Sequence, residues 1–371
     1  LKASGGTGTS TIDVICGKEG SLGLQPVEEK DFIMTHCHSR ILADMFQSHH
    51  VNDFCLVGPK GCGKSVLVHQ FARLLGYQIE PVVLHQDMSS RDLLQQRTTL
   101  PNGDTIWRPS PLIIAATEGH LALLDGIHRI NPGTLSALQR LINDREISLY
   151  DGSQLLRSDR YELLQKKSGL SDSQLAEKKV CRIHPSFRII GLAEPPQISS
   201  SQNQWLNSEL LPLFLYHHVE PLKKSEEAEI IFKMVPNVAK DKMGIVLNMA
   251  AILRNSNNSM LSSIAPSFST RQLLRIAKRI AEYPNEDLHE TICRACLAQF
   301  LPTLARTALE DAMKEMGVNK ITTMTSEAPK EINITDKNVK GFIQIGETQH
   351  EIYNAPNKTK VPETLFYNNY Q

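Results

Sequence analysis

Eight consecutive residues, Gly58-Pro59-Lys60-Gly61-Cys62-Gly63-Lys64-Ser65, follow the order G-x-x-x-x-G-K-[ST]. Glycines at this spacing let a backbone curl until successive N–H groups point inward at one anion. A helix opening at Lys64 would add the positive end of its dipole. The lysine ammonium suits the outer phosphates of a polyphosphate chain, and the serine hydroxyl suits Mg²⁺. The chemistry implied is a grip on a nucleoside triphosphate such as ATP, with all eight residues as candidate contacts. Such a grip also needs a carboxylate to orient the cation. The apolar run His120-Leu121-Ala122-Leu123-Leu124 ends in Asp125, so Ser65 and Asp125 are the candidate metal residues.

These groups must sit where strands end. Phe54–Val57 is short, apolar and stopped by Gly58, which predicts a buried strand. Helical spacing predicts a helix over Lys64–Leu75, and further strands are expected at Ile79–Leu84, Leu121–Leu124 and Arg188–Ala193. A helix is expected over Pro132–Asp144. Strands alternating with helices imply an α/β fold whose parallel sheet is flanked by helices. Asn102-Gly103 and Asp151-Gly152 tolerate the positive φ of tight turns and predict two hairpins. Upstream, Phe32, Ile33, Ile41, Leu42, Met45 and Phe46 recur near helical spacing. After Pro221 the composition changes, and residues 224–316 read as helical segments without a strand. The organisation expected is a linker at 1–30, an α/β core at 31–222, an all-α lid at 223–317 and a short β-containing linker at 318–371.

Composition narrows the function. Forty basic residues balance 40 acidic ones, so no polyanion-binding surface is implied and nucleic acid is not the expected partner. No apolar run approaches the roughly 20 residues that cross a bilayer. Seven cysteines, an odd number, make no disulfide framework, and an intracellular, reducing compartment is expected. The chain begins at Leu1 and reads as an internal fragment, with any targeting peptide upstream. His36-Cys37-His38 and Cys293-x-x-Cys296 lack matching partner pairs and read as packing, not as a metal site. The sequons at Asn257, Asn333 and Asn357 read as accidental.

Two further segments give the class. Phe187-Arg188-Ile189-Ile190-Gly191-Leu192-Ala193-Glu194-Pro195 resembles the sensor-1 strand of AAA+ proteins, and Ser269-Thr270-Arg271-Gln272-Leu273-Leu274 resembles their sensor-2 helix start. No N-K-x-D guanine signature and no L-S-G-G-Q segment occurs. The order of P-loop, first hairpin, Walker B aspartate, second hairpin, sensor 1 and lid resembles the dynein-related, midasin-like AAA+ branch. The likeness to one member, a large mitochondrial protein, runs over nearly the whole chain, and Lys360–Tyr367 resembles the lead-in to a following module. The resemblance implies Mg²⁺–ATP as ligand, Arg271 as an ATP contact, and neighbouring AAA+ modules and a protein client as partners.

At three positions the chain departs from that pattern. Gly126 replaces the glutamate that polarises the attacking water, Glu194 replaces the usual sensor-1 asparagine, and Leu213 stands where an arginine finger commonly precedes a phenylalanine. Glycine cannot act as a general base. The expectation is ATP binding with weak hydrolysis, Glu194 being the candidate substitute carboxylate. The alternative is a structural module that binds nucleotide without hydrolysing it.

Overall fold

The computed structural model describes residues 2–5, 8–11, 15–17, 32–196, 205–255, 261 and 264–319, with the strands Ile332–Thr335, Gly341–Ile345 and Thr348–Ile352. The sequons at Asn257 and Asn357, the segment Lys360–Tyr367 and most of the first linker lie outside these residues.

Five parallel strands make the central sheet of the described residues: β1 (Phe54–Val57), β2 (Ile79–Val83), β3 (Leu121–Asp125), β4 (Arg188–Ala193) and β5 (Leu215–His218), in the order β5-β1-β4-β3-β2. Ala193 pairs with Val57, and Leu192 with Asp125. This register brings Gly58, Glu194 and Gly126 out together at the C-terminal edge of three adjacent strands. Ligands in open α/β sheets bind at that edge.

The two-residue period of each strand divides its side chains between two cores. Phe54, Leu56, Leu121, Leu123, Ile190 and Leu192 join one cluster with Ile41, Met45, Leu67 and Phe71. These last four come from the helices α1 (His36–Val51) and α2 (Lys64–Leu75). Cys55, Ala122, Leu124, Ile189 and Ala193 face the other cluster, with Leu112, Ile113 and Leu141. Burial on both faces explains why β1, β3 and β4 read as continuous apolar runs. Each fully buried Leu or Phe contributes about 2 kcal/mol. At the opposite edge of the sheet, buried Asp53 accepts from the Ile189 N–H (2.9 Å) and the Arg145 guanidinium (2.8 Å), tying β1 to β4.

Both Gly-containing turns form antiparallel hairpins, Gln95–Thr99 with Thr105–Pro109 and Ile147–Ser148 with Gln154–Leu156. Gly103 and Gly152 adopt φ of 88° and 86° there. The expected helix over Pro132–Asp144 divides into Pro132–Ser136 and Gln139–Asn143. Bonds from Ala137 N–H to Thr134 O and from Leu138 N–H to Leu135 O tighten the junction into an i→i+3 turn. The first linker carries an antiparallel pair, Lys2–Gly5 with Gly8–Thr11. Edge strand β5 was not expected, since Leu215-Tyr216-His217-His218 has neither an apolar run nor clean alternation.

Helices Lys224–Met234, Lys240–Asn255, Thr270–Glu282, Leu288–Ala295 and Thr303–Glu315 surround their own core, which includes Met243, Leu247, Phe268, Leu273 and Leu309. Cys296 is buried within it. Residues 321–371 form a separate unit, in which the three described strands pair antiparallel in sequence order.

Candidate nucleotide-binding site

The phosphate loop leaves β1 at Gly58, whose N–H donates to Ala193 O (3.1 Å). A Cβ at Gly58 would lie 2.3 Å from Val219 O, so the loop runs flush against the segment that follows β5. Gly61 and Gly63 take φ of 74° and 98°, the left-handed region that only glycine adopts freely. Gly63 is the N-cap of α2 and offers no side chain to its first N–H groups. Around Gly63 a Cβ would meet nothing within 4 Å. These are the requirements of an anion cradle: a left-handed turn, uncapped N–H groups and open space above them. Lys64 Nζ donates to Gly58 O (2.6 Å) and Pro59 O (2.8 Å), folded over the loop. Burial pushes the Cys62 thiol up, which keeps it neutral and poorly nucleophilic.

The lid meets the loop directly. Arg271 N–H donates to Gly61 O (3.3 Å), and a Cβ at Gly61 would lie 2.5 Å from Ser269 Oγ. Arg271 is exposed beside the loop and makes no ion pair among the described residues. Between loop and lid opens a cavity of about 180 Å³ whose wall includes Ser65, Arg271, Phe32, Ile33, Met234 and Leu274. Its apolar wall suits a flat heterocyclic base, next to a polar end at the loop. Phe32 and Ile33 had been read as helix residues. They precede α1, which starts at His36, and no pattern in the sequence marked the slot they line.

Two carboxylates stand at the other side. Asp125 closes β3 half-exposed, with Arg129 Nη2 3.7 Å from its Oδ1. Gly126 follows at φ 97°. Glu194 leaves β4 one residue beyond Ala193, its Oε1 3.0 Å from His128 Nε2 and 3.6 Å from Lys60 Nζ. The Glu194 N–H donates to His128 Nδ1 (3.2 Å), so the imidazole proton resides on Nε2 and points at the carboxylate. Burial lowers the His128 pKa against the opposing pull of Glu194, which keeps the ring neutral near pH 7. Trp205 Nε1–H donates to Glu194 O (3.0 Å) and fixes the backbone. His128 is a residue the sequence reading missed.

A glycine-shaped loop after β1, an acid-tipped strand and a lid touching the loop occur here in one sheet order, β5-β1-β4-β3-β2. Residues 53–214 match the AAA domain model of the dynein-related subfamily. The chain carries an AAA domain of this subfamily. Over 347 residues, 94% of this chain, it is 52% identical to von Willebrand factor A domain-containing protein 8 of Mus musculus, the member whose likeness the sequence had suggested. The chain spans 18% of that protein's length. Protein NorQ of Paracoccus denitrificans is 35% identical over 105 residues, covering 28% of this chain and 38% of its own length. Midasin of Giardia intestinalis is 23% identical over 232 residues, 62% of this chain and 4% of that protein. No helix among the described residues of this AAA module is long and apolar enough to cross a membrane.

The AAA module brings Gly58, Gly61, Gly63, Lys64, Ser65 and Arg271 around the loop and its cavity, with Glu194 at the end of adjacent β4 and Asp125 at the end of β3 beyond it. Pro59 and Lys60 form the outer turn of the loop, where Lys60 is 74% exposed. Leu213 stands apart from all of these. It is fully buried against the sheet, in the short turn Leu211–Leu213 before Phe214. The position that resembles an arginine finger is therefore part of the core in this chain.

Proposed function

We propose that this AAA module binds Mg²⁺–ATP within a larger mechanochemical protein and hydrolyses it slowly. The observation that carries the reading is the pairing of a complete glycine-shaped phosphate loop with Gly126, which offers no carboxylate beside Asp125. The residues present fit the ligand: the uncapped α2 N–H groups and open Gly63 suit phosphate, and the hard oxygens of Ser65 and Asp125 suit Mg²⁺. When bound, Mg²⁺ would supply neutralisation of the outer phosphates' charge. Lys64, now on two loop carbonyls, would turn to the phosphates. Arg271 would meet them from the lid, and the apolar slot would take the base.

For hydrolysis, Glu194 is the carboxylate nearest in role to the missing glutamate. His128 acts as its positioning residue, gripping both its backbone N–H and its side chain. A carboxylate held by His128 and close to Lys60 must give up those contacts to engage a water, which accords with slow turnover. The same two contacts favour a second reading, a structural module that holds nucleotide without turnover.

Neighbouring AAA+ modules of the same polypeptide or ring, and a protein client, are the proposed partners. The mitochondrial setting rests on family resemblance alone. ATP turnover and nucleotide content of this chain and of Lys64→Ala separate the readings. Slow turnover lost in Lys64→Ala supports the first, and co-purifying nucleotide with no turnover supports the second. A chain that binds no nucleotide refutes both.

A further inference from the structure

Arg129, which closes the turn after Asp125, has no role in the proposed binding or hydrolysis. Arg129 N–H donates to Gly126 O (2.8 Å), closing a tight turn directly after β3. That turn folds the Arg129 side chain back over Gly126. A Cβ on Gly126 would fall 2.9 Å from Arg129 Cζ and Nε, and 3.2 Å from Nη2. The guanidinium thus lies against the backbone at the position from which the family's glutamate would project. A larger residue at 126 would displace it.

The cation is also loosely held. Its carboxylate neighbour, Asp125, is 3.7 Å away, and the two side chains are 44% and 41% exposed. At that distance the pair lies beyond a hydrogen bond, and an exposed pair is worth little. A guanidinium presents a planar fork of donors that matches phosphate oxygens two at a time. Other cations of the site stand elsewhere: Lys64 on the loop carbonyls, Lys60 beside Glu194 and Arg271 on the lid side of Gly61. Asp125 ends its strand two strands from the loop, on the far side of β4. A terminal phosphate reaching out of the cradle across β4 would meet that guanidinium, whereas one held within the loop would not.

We propose that Arg129 is the residue by which this site distinguishes a nucleoside triphosphate from a diphosphate. It leaves Asp125 to contact the terminal phosphate. The inference rests on the nucleotide-binding reading and goes beyond it. Where the family places a base for water, this chain places a cation for phosphate. A contact made equally in the ground and transition states raises affinity without raising turnover. The site then reads out the presence of the terminal phosphate more than it removes it.

The test is titration calorimetry on the full chain with Mg²⁺–ADP and with the Mg²⁺ complex of a β,γ-imido ATP analogue. Arg129→Gln is expected to weaken analogue binding about tenfold and to leave ADP binding within about twofold, since one charge-assisted contact is lost. Arg129→Lys keeps the charge without the fork, and its analogue-to-ADP ratio is expected to fall between those of Arg129→Gln and the parent. Should Arg129→Gln bind no ADP because it misfolds, the ratio in Arg129→Lys decides. An equal loss for both ligands, an unchanged ratio, or tighter analogue binding would overturn the assignment. Failure of the parent chain to bind either ligand would instead refute the nucleotide-binding reading itself.

Discussion

On the loop side of the site the geometry belongs to the backbone. Gly58, Gly61 and Gly63 shape a turn that side chains would obstruct or strain, and α2 supplies its free N–H groups. On the Asp125 side the geometry belongs to side chains. Arg129 leans on Asp125, while His128 and Lys60 approach Glu194. Backbone shape survives most changes elsewhere in the sequence, whereas a side-chain arrangement changes with a single substitution. On the proposed reading, binding and hydrolysis are therefore separable in this fold, and the groups for the first are more complete here than those for the second.

The largest expected effect breaks the loop side. Lys64→Ala removes the one ammonium folded over the loop and is expected to weaken Mg²⁺–ATP binding about 100-fold, the equivalent of two charge-assisted hydrogen bonds. Calorimetric titration measures it, and unchanged affinity would remove Lys64 from the site. On the opposite side, Glu194→Gln keeps shape and hydrogen bonding but loses basicity. Residual turnover is expected to fall about tenfold or more, with affinity nearly constant. Equal turnover in parent and variant would end the role given to Glu194.

Acid should sharpen the contrast by loosening the α2 side. His49 packs edge-on against Phe71 and Tyr77, its Nε2–H donating to Ile15 O, and burial lowers its pKa to about 4. The unfolded chain takes up a proton near pH 6.5, which the folded chain refuses until about pH 4. Stability is thus complete above pH 6.5 and falls through that window, by up to about 3 kcal/mol. Chemical denaturation against pH should show this slope flattened in His49→Gln. An identical slope would assign the titration to other groups.

The smallest effect concerns Gly126. Restoring a glutamate there places a side chain at φ 97° and against the Arg129 guanidinium. A strain of about 1 kcal/mol should lower the melting temperature by about 2–4 °C. Little turnover should be gained, because the backbone that would aim the carboxylate is not in an ordinary conformation. A large gain in a verified monomer would contradict this.

Strands β1, β3 and β4 were legible because burial on both faces writes an unbroken apolar run into each. The loop was legible because its glycines are required at fixed spacing. Strand β5 was not, since an edge strand ending in two histidines carries little of that pattern. His128 was missed because its partner Glu194 is 66 positions away, joined only by the pairing of β3 with β4. Gly126 could be read as a missing base, but its positive φ and the arginine lying over it belong to the three-dimensional turn. Leu213 matched a motif by its neighbour Phe214, yet the fold turns that position into the core.

The central claim, a nucleotide grip retained beside a weakened hydrolytic side, is tested most directly by measuring Mg²⁺–ATP affinity and turnover on the same preparation. Saturable binding that depends on Lys64, with turnover far below the about 1 s⁻¹ at the low end of ordinary enzymes, is the expected result. Absence of nucleotide binding, or turnover at ordinary enzymatic rates by the monomer, would contradict it.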